Sequence, residues 1–347
     1  MIPIHNIYYM LSYAFSVLNE QGYKSITTEE FHNVGELCAA ILAKGVSKQI
    51  KRGLGREYIT ECEELSSPRE KIEITETIKA QSLVRKKLVC TFDEYSHNFY
   101  MNRIIKTTIC LLLKSRISSS RKKDLRKVLV FFEGVEELDY HLINWNIQYN
   151  RNNQTYRMLI SICFLIIKGL IQNQSDGSVK LMDFLDERRM SKLYELFILE
   201  YYRKEHPKLS ANATQIPWKL DDDYDDMLPV MQTDISLTYM SRNLIIDAKY
   251  YGKSVQEQYG IYKNHSGNLY QIFTYVKNKE FQLVDSDHEP VSGMILYAKT
   301  DEEVFPNNLY RMSGNLIEVR TLDLSGEFSS IRDQLDGIAD RFLYKSK

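Results

Sequence analysis

Two aspartates and a lysine form the combination in this 347-residue chain that is best suited to chemistry. Asp234 is followed, after twelve residues, by Asp247, and Lys249 comes two positions later. Two carboxylates supply the hard oxygen ligands that Mg²⁺ prefers, while the ion keeps positions for water and phosphate oxygens. A neighbouring lysine can orient an attacking water or offset the negative charge that develops at phosphorus. The spacing therefore indicates metal-dependent cleavage of a phosphodiester, with Asp234 and Asp247 as metal ligands and Lys249 as the catalytic lysine.

Two β-rich runs carry these residues, and a short polar connection at 240–243 joins them. If this connection forms a symmetric four-residue loop, Asp234 falls opposite Lys249. Asp247 lies two positions from Lys249, so the alternation of side chains along a strand turns all three residues to one face. The sequence therefore predicts a hairpin whose three side chains can share one metal ion.

The approach to Asp247 argues against a solvated strand end. An Asp-x-Lys tripeptide occurs by chance on many exposed strands, and alone it carries little weight. Here Leu244, Ile245 and Ile246 lead directly into the carboxylate. Buried carboxylates are rare without a partner or a metal, so the pattern favours a functional site.

A helix predicted for 266–279 follows the hairpin, with Ser266 or Asn268 as its candidate cap. Gln271 and Tyr275 are four residues apart and therefore share one face, beside an apolar stripe. This pair could position a substrate strand or brace the site. Without the preceding hairpin, the same pattern would describe an ordinary amphipathic helix.

The hairpin and this helix together resemble the PD-(D/E)xK nuclease superfamily, in particular the RecB-like branch with a Gln-x-x-x-Tyr helix after the lysine strand. The resemblance implies a glutamate near the metal on the helix that precedes the hairpin. In this chain that helix is predicted for 185–205 and carries Glu195, the candidate third metal ligand. Glu200 lies on the same helix, and either glutamate also fits a solvated helix position.

A longer resemblance, to the McrC family, covers nearly the whole chain. It implies the nuclease subunit of the McrBC modification-dependent restriction system, whose partner McrB is a GTP-hydrolysing AAA+ ring that recognises methylated cytosine in double-stranded DNA. It also implies Mg²⁺, for which Mn²⁺ can substitute, and an N-terminal half that docks to the ring and stimulates its GTPase. The family does not guarantee a glutamate at the position of Glu195. The stretches that carry the resemblance are 2–15, 44–54, 68–78, 102–106, 233–235, 246–251 and 268–271.

The order of predicted elements indicates a mixed α/β chain of two domains. We expect an α+β docking domain over 1–172 and a restriction-endonuclease-like α/β core over 178–347, separated by a polar stretch at 172–177. In the first domain, helices are predicted for 6–19, 29–50, 98–131 and 155–173, and strands for 57–61, 70–78 and 86–92. In the second, helices are predicted for 185–205, 266–279 and 328–345, and strands for 231–250, 291–298 and 316–323.

The net charge of −1 hides an uneven distribution. Residues 1–170 hold 24 Lys and Arg against 18 Asp and Glu, a balance of +6, while 171–347 hold 21 against 28, a balance of −7. Nonspecific affinity for DNA comes mainly from neutralising phosphates. The acidic half with the candidate site should therefore bind DNA poorly unless a partner delivers it. The basic segment 114–127 could contact nucleic acid or an acidic partner, or form a solvated helix face.

The cysteines and the apolar runs indicate the cellular compartment in which the protein functions. Five widely spaced cysteines without a Cys-x-x-Cys pair argue against a disulfide framework, which favours a reducing cytoplasm. The apolar run 7–18 is too short to span a bilayer and is interrupted by serines, so it predicts a buried helix and no membrane partner.

The chain contains no Gly-x-x-x-x-Gly-Lys-Ser/Thr phosphate loop, so we expect no nucleotide to bind to it and any NTPase to be a separate subunit. Two other interpretations remain open. One is a stand-alone RecB-like DNA nuclease that needs no motor. The other is a non-catalytic activator of a ring NTPase.

Overall fold

The computed structural model describes residues 2–15, 31–151, 153–173, 179–181, 187–222, 224–251, 254–258, 261–283, 289–299 and 305–341, together with Leu18, Tyr23, Ile26 and Glu29. The helices are α1 (Ile4–Ala14), α2 (Val34–Arg52), α3 (Ile74–Lys79), α4 (Tyr100–Lys114), α5 (Ser119–Leu129), α6 (Tyr156–Phe164), α7 (Glu187–Glu205), α8 (Ser266–Gln282) and α9 (Phe328–Ala339). The strands of the first half are β1 (Glu57–Leu65), β2 (Lys71–Ile72), β3 (Leu88–Ser96), β4 (Ile171–Asn173) and β5 (Val179–Leu181). Those of the second half are β6 (Gln215–Ile216), β7 (Met231–Gln232), β8 (Ile235–Tyr239), β9 (Arg242–Lys249), β10 (Val255–Gln258), β11 (Ile261–Asn264), β12 (Ser292–Ala298), β13 (Asn308–Met312) and β14 (Asn315–Leu322).

The chain is an α/β protein, as predicted, and it forms two compact units. The first unit combines Met1–Val34 with Leu185–Lys347, and the second consists of Gly35–Phe184. The predicted division at 172–177 is close to the second crossing between the units. The prediction that residues 1–34 belong to the N-terminal domain is wrong, because Met1–Val34 groups with the C-terminal half, against which helix α1 packs.

Helix α1 explains this difference. Its Ile7, Met10 and Leu11 are buried, and the helix packs against α7. The amide of Asn6 donates to the carbonyls of Leu324 and Gly326, both at 2.8 Å. These partners lie more than 300 positions away, so local sequence patterns cannot reveal them.

A five-stranded sheet with the order β13-β14-β12-β9-β8 forms the centre of the first unit. Strands β9, β12 and β14 run parallel, while β8 and β13 pair antiparallel at the edges. Helix α8 packs on one face, where Ile272 and Val276 are fully buried. A Cβ at Gly293 on β12 would lie 2.8 Å from Val276 and 2.9 Å from Ile272, so glycine permits this close approach.

The β8–β9 hairpin is confirmed, but its register differs from the prediction. A two-residue turn at Met240 and Ser241 replaces the expected four-residue loop, because Tyr239 pairs with Arg242. Met240 takes a positive φ of 52°, which residues other than glycine adopt only uncommonly. The register moves by an even number of residues, so the same side chains still face the same side of the sheet.

The second unit contains the antiparallel sheet β1-β3-β2. The strand predicted for 70–78 is wrong beyond Ile72, because the chain forms helix α3 from Ile74. Around Ile72 and Ile74, apolar and polar residues alternate with the period of two that is typical of a strand. However, Ile74 and Ile78 are four apart and both exposed, as on one face of a helix.

The single helix predicted for 98–131 is interrupted at 115–118. Helix α4 ends at Lys114, and Ser118 caps α5 by accepting a hydrogen bond from the backbone N–H of Arg121. Likewise, the regular α-helix predicted for 155–173 ends at Phe164. It continues from α6 into a π-helical segment, Leu165–Leu170, and then into β4.

Candidate active site

Asp247 and Lys249 lie in the last three residues of β9, and their side chains share one face of the sheet. Asp234 immediately precedes β8. Continuing the pairing of Ile235 with Ile246 by one step places Asp234 opposite Asp247, not opposite Lys249 as predicted. Asp234 Oδ2 accepts a hydrogen bond from the backbone N–H of Ala248 at 2.9 Å. The hairpin thus brings the two carboxylates and the lysine together.

Asp247 is deeply buried, with 2% of its side chain exposed, and Lys249 is 16% exposed. The Lys249 ammonium lies 2.9 Å from Asp247 Oδ1. The other oxygen, Oδ2, is buried and accepts no hydrogen bond from an N–H or hydroxyl group of the described residues, while the Asp234 carboxyl lies close enough to donate to Asp247 when it is protonated. A buried carboxylate oxygen without a partner costs free energy unless a further group, such as a cation, compensates it.

The electrostatics of the site reflect an excess of carboxylates. Burial raises the pKa of Asp234 to about 7, and the charges of Asp247 and Glu195 act in the same direction. Burial also raises the pKa of Asp247, while Lys249 opposes this shift. For Lys249 itself, burial lowers the pKa, but the two aspartates outweigh burial and raise it. The lysine is therefore protonated, while the carboxylates share more negative charge than one lysine neutralises.

Glu195 on α7 lies within electrostatic range of both aspartates, since its charge raises the pKa of each. Its carboxylate accepts hydrogen bonds from Lys192 at 2.7 Å and from Ser191 at 3.2 Å. Across the part of the chain that the structure describes, no three His, Cys, Asp or Glu side chains lie close enough together to hold a metal ion. The role of Glu195 as a third ligand therefore stays a prediction. Glu200 is instead paired with Arg203 at 2.6 Å.

Gln271 and Tyr275 contact each other on α8, as their spacing predicts. The Gln271 amide donates a hydrogen bond to the Tyr275 hydroxyl at 2.9 Å. Tyr275 is 8% exposed and packs in the core with Ile245 and Ile295. The tyrosine therefore braces the helix against the sheet, and a contact of either residue with substrate stays a prediction.

Sequence patterns did not reveal the environment of Asn268. Helix α8 begins at Ser266 after an N-cap at His265, so neither predicted cap residue is the N-cap. The Asn268 amide instead donates to the hydroxyl of Tyr297 at 2.7 Å. The pairing of Tyr297 with Lys249 places this tyrosine beside the candidate site. That neighbour follows from the register of two parallel strands about fifty positions apart in the chain, which no local pattern encodes.

The residues present fit a divalent cation with hard-ligand preferences. Asp234 and Asp247 offer only oxygen donors, which Mg²⁺ and Mn²⁺ favour. The unpartnered Oδ2 of Asp247 and the raised pKa of Asp234 are both features that a bound cation would relieve. This donor set is compatible with Mg²⁺ or Mn²⁺, and binding of either ion stays a prediction.

Two further observations concern the whole chain. All five cysteines are free thiols. In the described parts of the chain, no helix is both long enough and apolar enough to cross a membrane.

Comparison with known proteins places the chain in a family. The sequence profile of the McrBC 5-methylcytosine restriction system component matches residues 5–285. The chain is 31% identical over 351 residues to the Type IV methyl-directed restriction enzyme EcoKMcrBC of Escherichia coli (strain K12), covering 99% of each protein. The chain belongs to the McrBC restriction-system family, as its McrC-like component.

A solved structure shows the same fold. It is a refined half-complex from a tetradecameric assembly of Thermococcus gammatolerans McrB AAA+ hexamers with bound McrC. The TM-score is 0.50 at 17% identity, and the match covers 98% of this chain and 76% of that one.

Proposed function

We propose that this chain is the DNA endonuclease subunit of a McrBC-like, modification-dependent restriction complex. The observation that carries the proposal is the convergence of Asp234, Asp247 and Lys249 on one buried sheet face, with one Asp247 oxygen unpartnered. Membership of the McrBC family supports a role in restriction. A structural ion pair alone would need neither the second buried carboxylate nor the unsatisfied oxygen.

Asp234 and Asp247 would hold Mg²⁺, or Mn²⁺ in its place. When bound, the ion polarises the phosphodiester and lowers the pKa of a coordinated water. Lys249 keeps a positive charge beside the reacting phosphate, where it can orient the water and offset developing negative charge. Asp234 must lose its proton before it can bind the metal, which its pKa of about 7 allows at neutral pH and above.

The surrounding side chains would support this chemistry. Glu195 adds negative charge near both aspartates and is the candidate third ligand. Gln271, held by its bond to Tyr275, would position the substrate strand beside the site. Neither role requires a nucleotide on this chain, in accord with the missing phosphate loop.

The partner would be a McrB-like, GTP-hydrolysing AAA+ ring that delivers double-stranded DNA carrying modified cytosine. The solved structure that shares this fold contains McrB hexamers with bound McrC, which supports the assembly. The balance of −7 over residues 171–347 supports delivery of DNA by a partner, because an acidic surface binds phosphates poorly. The free thiols fit a reducing, cytoplasmic setting.

The second unit would dock to this ring and stimulate its GTPase. Its segment 72–84, which runs from the last residue of β2 toward β3, exposes several apolar side chains, and we name it the apolar segment. Exposed apolar side chains that are close together in this way commonly mark protein interfaces. Its members and their exposed fractions are Ile72 (39%), Ile74 (68%), Ile78 (64%), Leu83 (59%) and Val84 (85%).

The test is cleavage of duplex DNA with and without 5-methylcytosine, by the full-length chain alone and together with a McrB-like subunit, GTP and Mg²⁺. The proposal predicts cutting only of the modified duplex and only with the partner. Efficient cutting of both duplexes by the chain alone would favour the stand-alone nuclease. Stimulated GTP hydrolysis without any cutting would favour the non-catalytic activator.

A further inference from the structure

The side chain of Asn268 joins three elements at the end of the sheet that holds Lys249. Its amide nitrogen donates to the hydroxyl of Tyr297, near the end of β12, at 2.7 Å. Its amide oxygen accepts from the hydroxyl of Tyr251, two residues beyond β9, at 3.5 Å. One amide in the first turn of α8 therefore bridges the ends of two neighbouring parallel strands.

Tyr297 links this bridge to the catalytic lysine. Its register partner is Lys249, so the two side chains lie on the same face of adjacent strands. The Tyr297 side chain is fully buried and belongs to the core under α8. Burial raises its pKa to about 12, and the charges of Asp247 and Lys249 also act on it, which places the phenol within electrostatic range of both.

Tyr251 anchors the chain just beyond the lysine. Lys249 is the last residue of β9, so the chain leaves the sheet directly after it. Beyond that point, Tyr251 is held by the Asn268 amide and by its ring contacts with His265 and Tyr297, whose centroids lie 5.6 Å and 6.0 Å away. A strand end with few constraints frays easily, and a misplacement of about 1 Å can cost about 10²-fold in rate.

We propose that Asn268 is a positioning residue for the nuclease reaction: by bridging Tyr251 and Tyr297 it fixes the Lys249 end of β9 against helix α8. This inference rests on the proposed nuclease function of the same site. Asn268 does not act as a helix cap, since the N-cap of α8 is His265. Its amide instead bridges the strand ends, so removing it would loosen the end of β9 that carries Lys249 without removing any charged group.

The expected consequence is kinetic. In the full-length chain with its McrB-like partner, GTP and Mg²⁺, Asn268→Ala should lower kcat about 10- to 100-fold, since misplacing a catalytic group by about 1 Å can cost about 10²-fold. KM for modified DNA should change little, because the amide contributes to orientation and not to DNA binding. Tyr297→Phe, which keeps the ring and removes the hydroxyl, should lower kcat in the same direction.

The double variant distinguishes positioning from general weakening of the fold. If both residues act through the one hydrogen bond, Asn268→Ala combined with Tyr297→Phe should lose no more activity than the worse single variant. The matched controls use the same residue type in the same unit. Asn278, on α8, bonds to the backbone at Lys219 and Thr274, and Asn264 donates to the Tyr310 hydroxyl at 3.0 Å. Asn278→Ala and Asn264→Ala should keep wild-type kcat.

Three outcomes overturn the inference: wild-type kcat in Asn268→Ala, multiplicative losses in the double variant, or equal losses in the control variants. Thermal unfolding of each variant, measured beside the kinetics, ensures that every protein is folded at the assay temperature. Asp247→Ala in the same assay separates this inference from the proposed function. If Asp247→Ala still cuts, the nuclease site itself is wrong; if it is inactive while Asn268→Ala is not impaired, only the positioning role is wrong.

Discussion

Lys249 and Asp247 form an ion pair that involves only one of the two carboxylate oxygens of Asp247. The lysine ammonium lies 2.9 Å from Oδ1, whereas the buried Oδ2 accepts no hydrogen bond from an N–H or hydroxyl group of the described residues, and only the Asp234 carboxyl is near enough to donate to Asp247 when protonated. Asp234, directly before the neighbouring strand β8, accepts a hydrogen bond from the backbone N–H of Ala248 and has a pKa of about 7. The site therefore combines a fixed lysine with carboxylate oxygens that remain available for a cation.

The raised pKa of Asp234 predicts that the metal-free protein becomes less stable as pH rises. Its carboxyl holds a proton more tightly in the folded state, with a pKa of about 7, than at its ordinary value of 3.8. Between these values the folded state binds more protons than the unfolded state, so the free energy of unfolding falls with increasing pH. Asp234→Asn removes this titration and keeps an acceptor for Ala248. In chelator at pH 8, we expect the variant to have a higher Tm than the wild type.

Asp323 provides a control of opposite sign. Burial acts to raise its pKa, but hydrogen bonds from Lys299 and Ser325 outweigh burial and lower it. Its stabilising effect is present above the ordinary carboxyl pKa and is lost as pH falls, so Asp323→Asn should lower the Tm at pH 8. A higher Tm for the wild type than for Asp234→Asn at pH 8 would contradict the electrostatic description of the site.

The same carboxylates predict the metal requirement. Mg²⁺ and Mn²⁺ should support cleavage, whereas Ca²⁺ should permit DNA binding without cleavage, because the site suits a small octahedral ion. Mg²⁺ should raise the Tm more at pH 8 than at pH 5.5, since at the lower pH Asp234 is largely protonated and its proton competes with the metal. Asp247→Ala should abolish this increase. Full activity in excess chelator would remove the metal mechanism.

Much of the site could be predicted from sequence because its information is local. One hairpin carries Asp234, Asp247 and Lys249. The apolar residues before Asp247 predict its burial. The face that these side chains share depends only on the alternation of side chains along a strand. It was therefore predicted correctly although the predicted loop length was wrong. Gln271 and Tyr275 are likewise four residues apart on one helix, and they do contact each other.

The remaining features depend on contacts between distant parts of the chain. The pairing of Tyr297 with Lys249 needs the register of two parallel strands. The packing of α1 with the C-terminal half joins residues such as Asn6 and Leu324 across almost the whole sequence. Met240 forms its turn without the glycine or asparagine that usually marks a positive φ, so the polar stretch looked like a longer loop. Tertiary contacts determine these features, and single-sequence patterns do not contain them.

The proposed docking role of the second unit predicts a loss of GTPase stimulation when its apolar segment becomes charged. Val84, which is 85% exposed, can accept Asp without disturbing a core. Val84→Asp should reduce stimulation of the partner GTPase by about tenfold or more, because a charge buried in an interface is costly. Leu142→Asp is the control, since Leu142 is 80% exposed in the same unit but outside the segment. If Val84→Asp stimulates the partner GTPase as well as Leu142→Asp does, the docking surface lies elsewhere.

The most direct measurement compares two lysine–aspartate pairs at the ends of adjacent strands. Lys249 pairs with Asp247 within the last three residues of β9, and Lys299, directly after β12, pairs with Asp323, directly after β14, at 2.6 Å. With the partner, GTP, Mg²⁺ and modified DNA, Lys249→Ala and Asp247→Ala should lower cleavage by at least about 10² to 10³-fold, while GTP hydrolysis stays near wild type. Lys299→Ala should cut like the wild type. Cleavage by Lys249→Ala or Asp247→Ala within about threefold of wild type would contradict the assignment of this site as the nuclease centre.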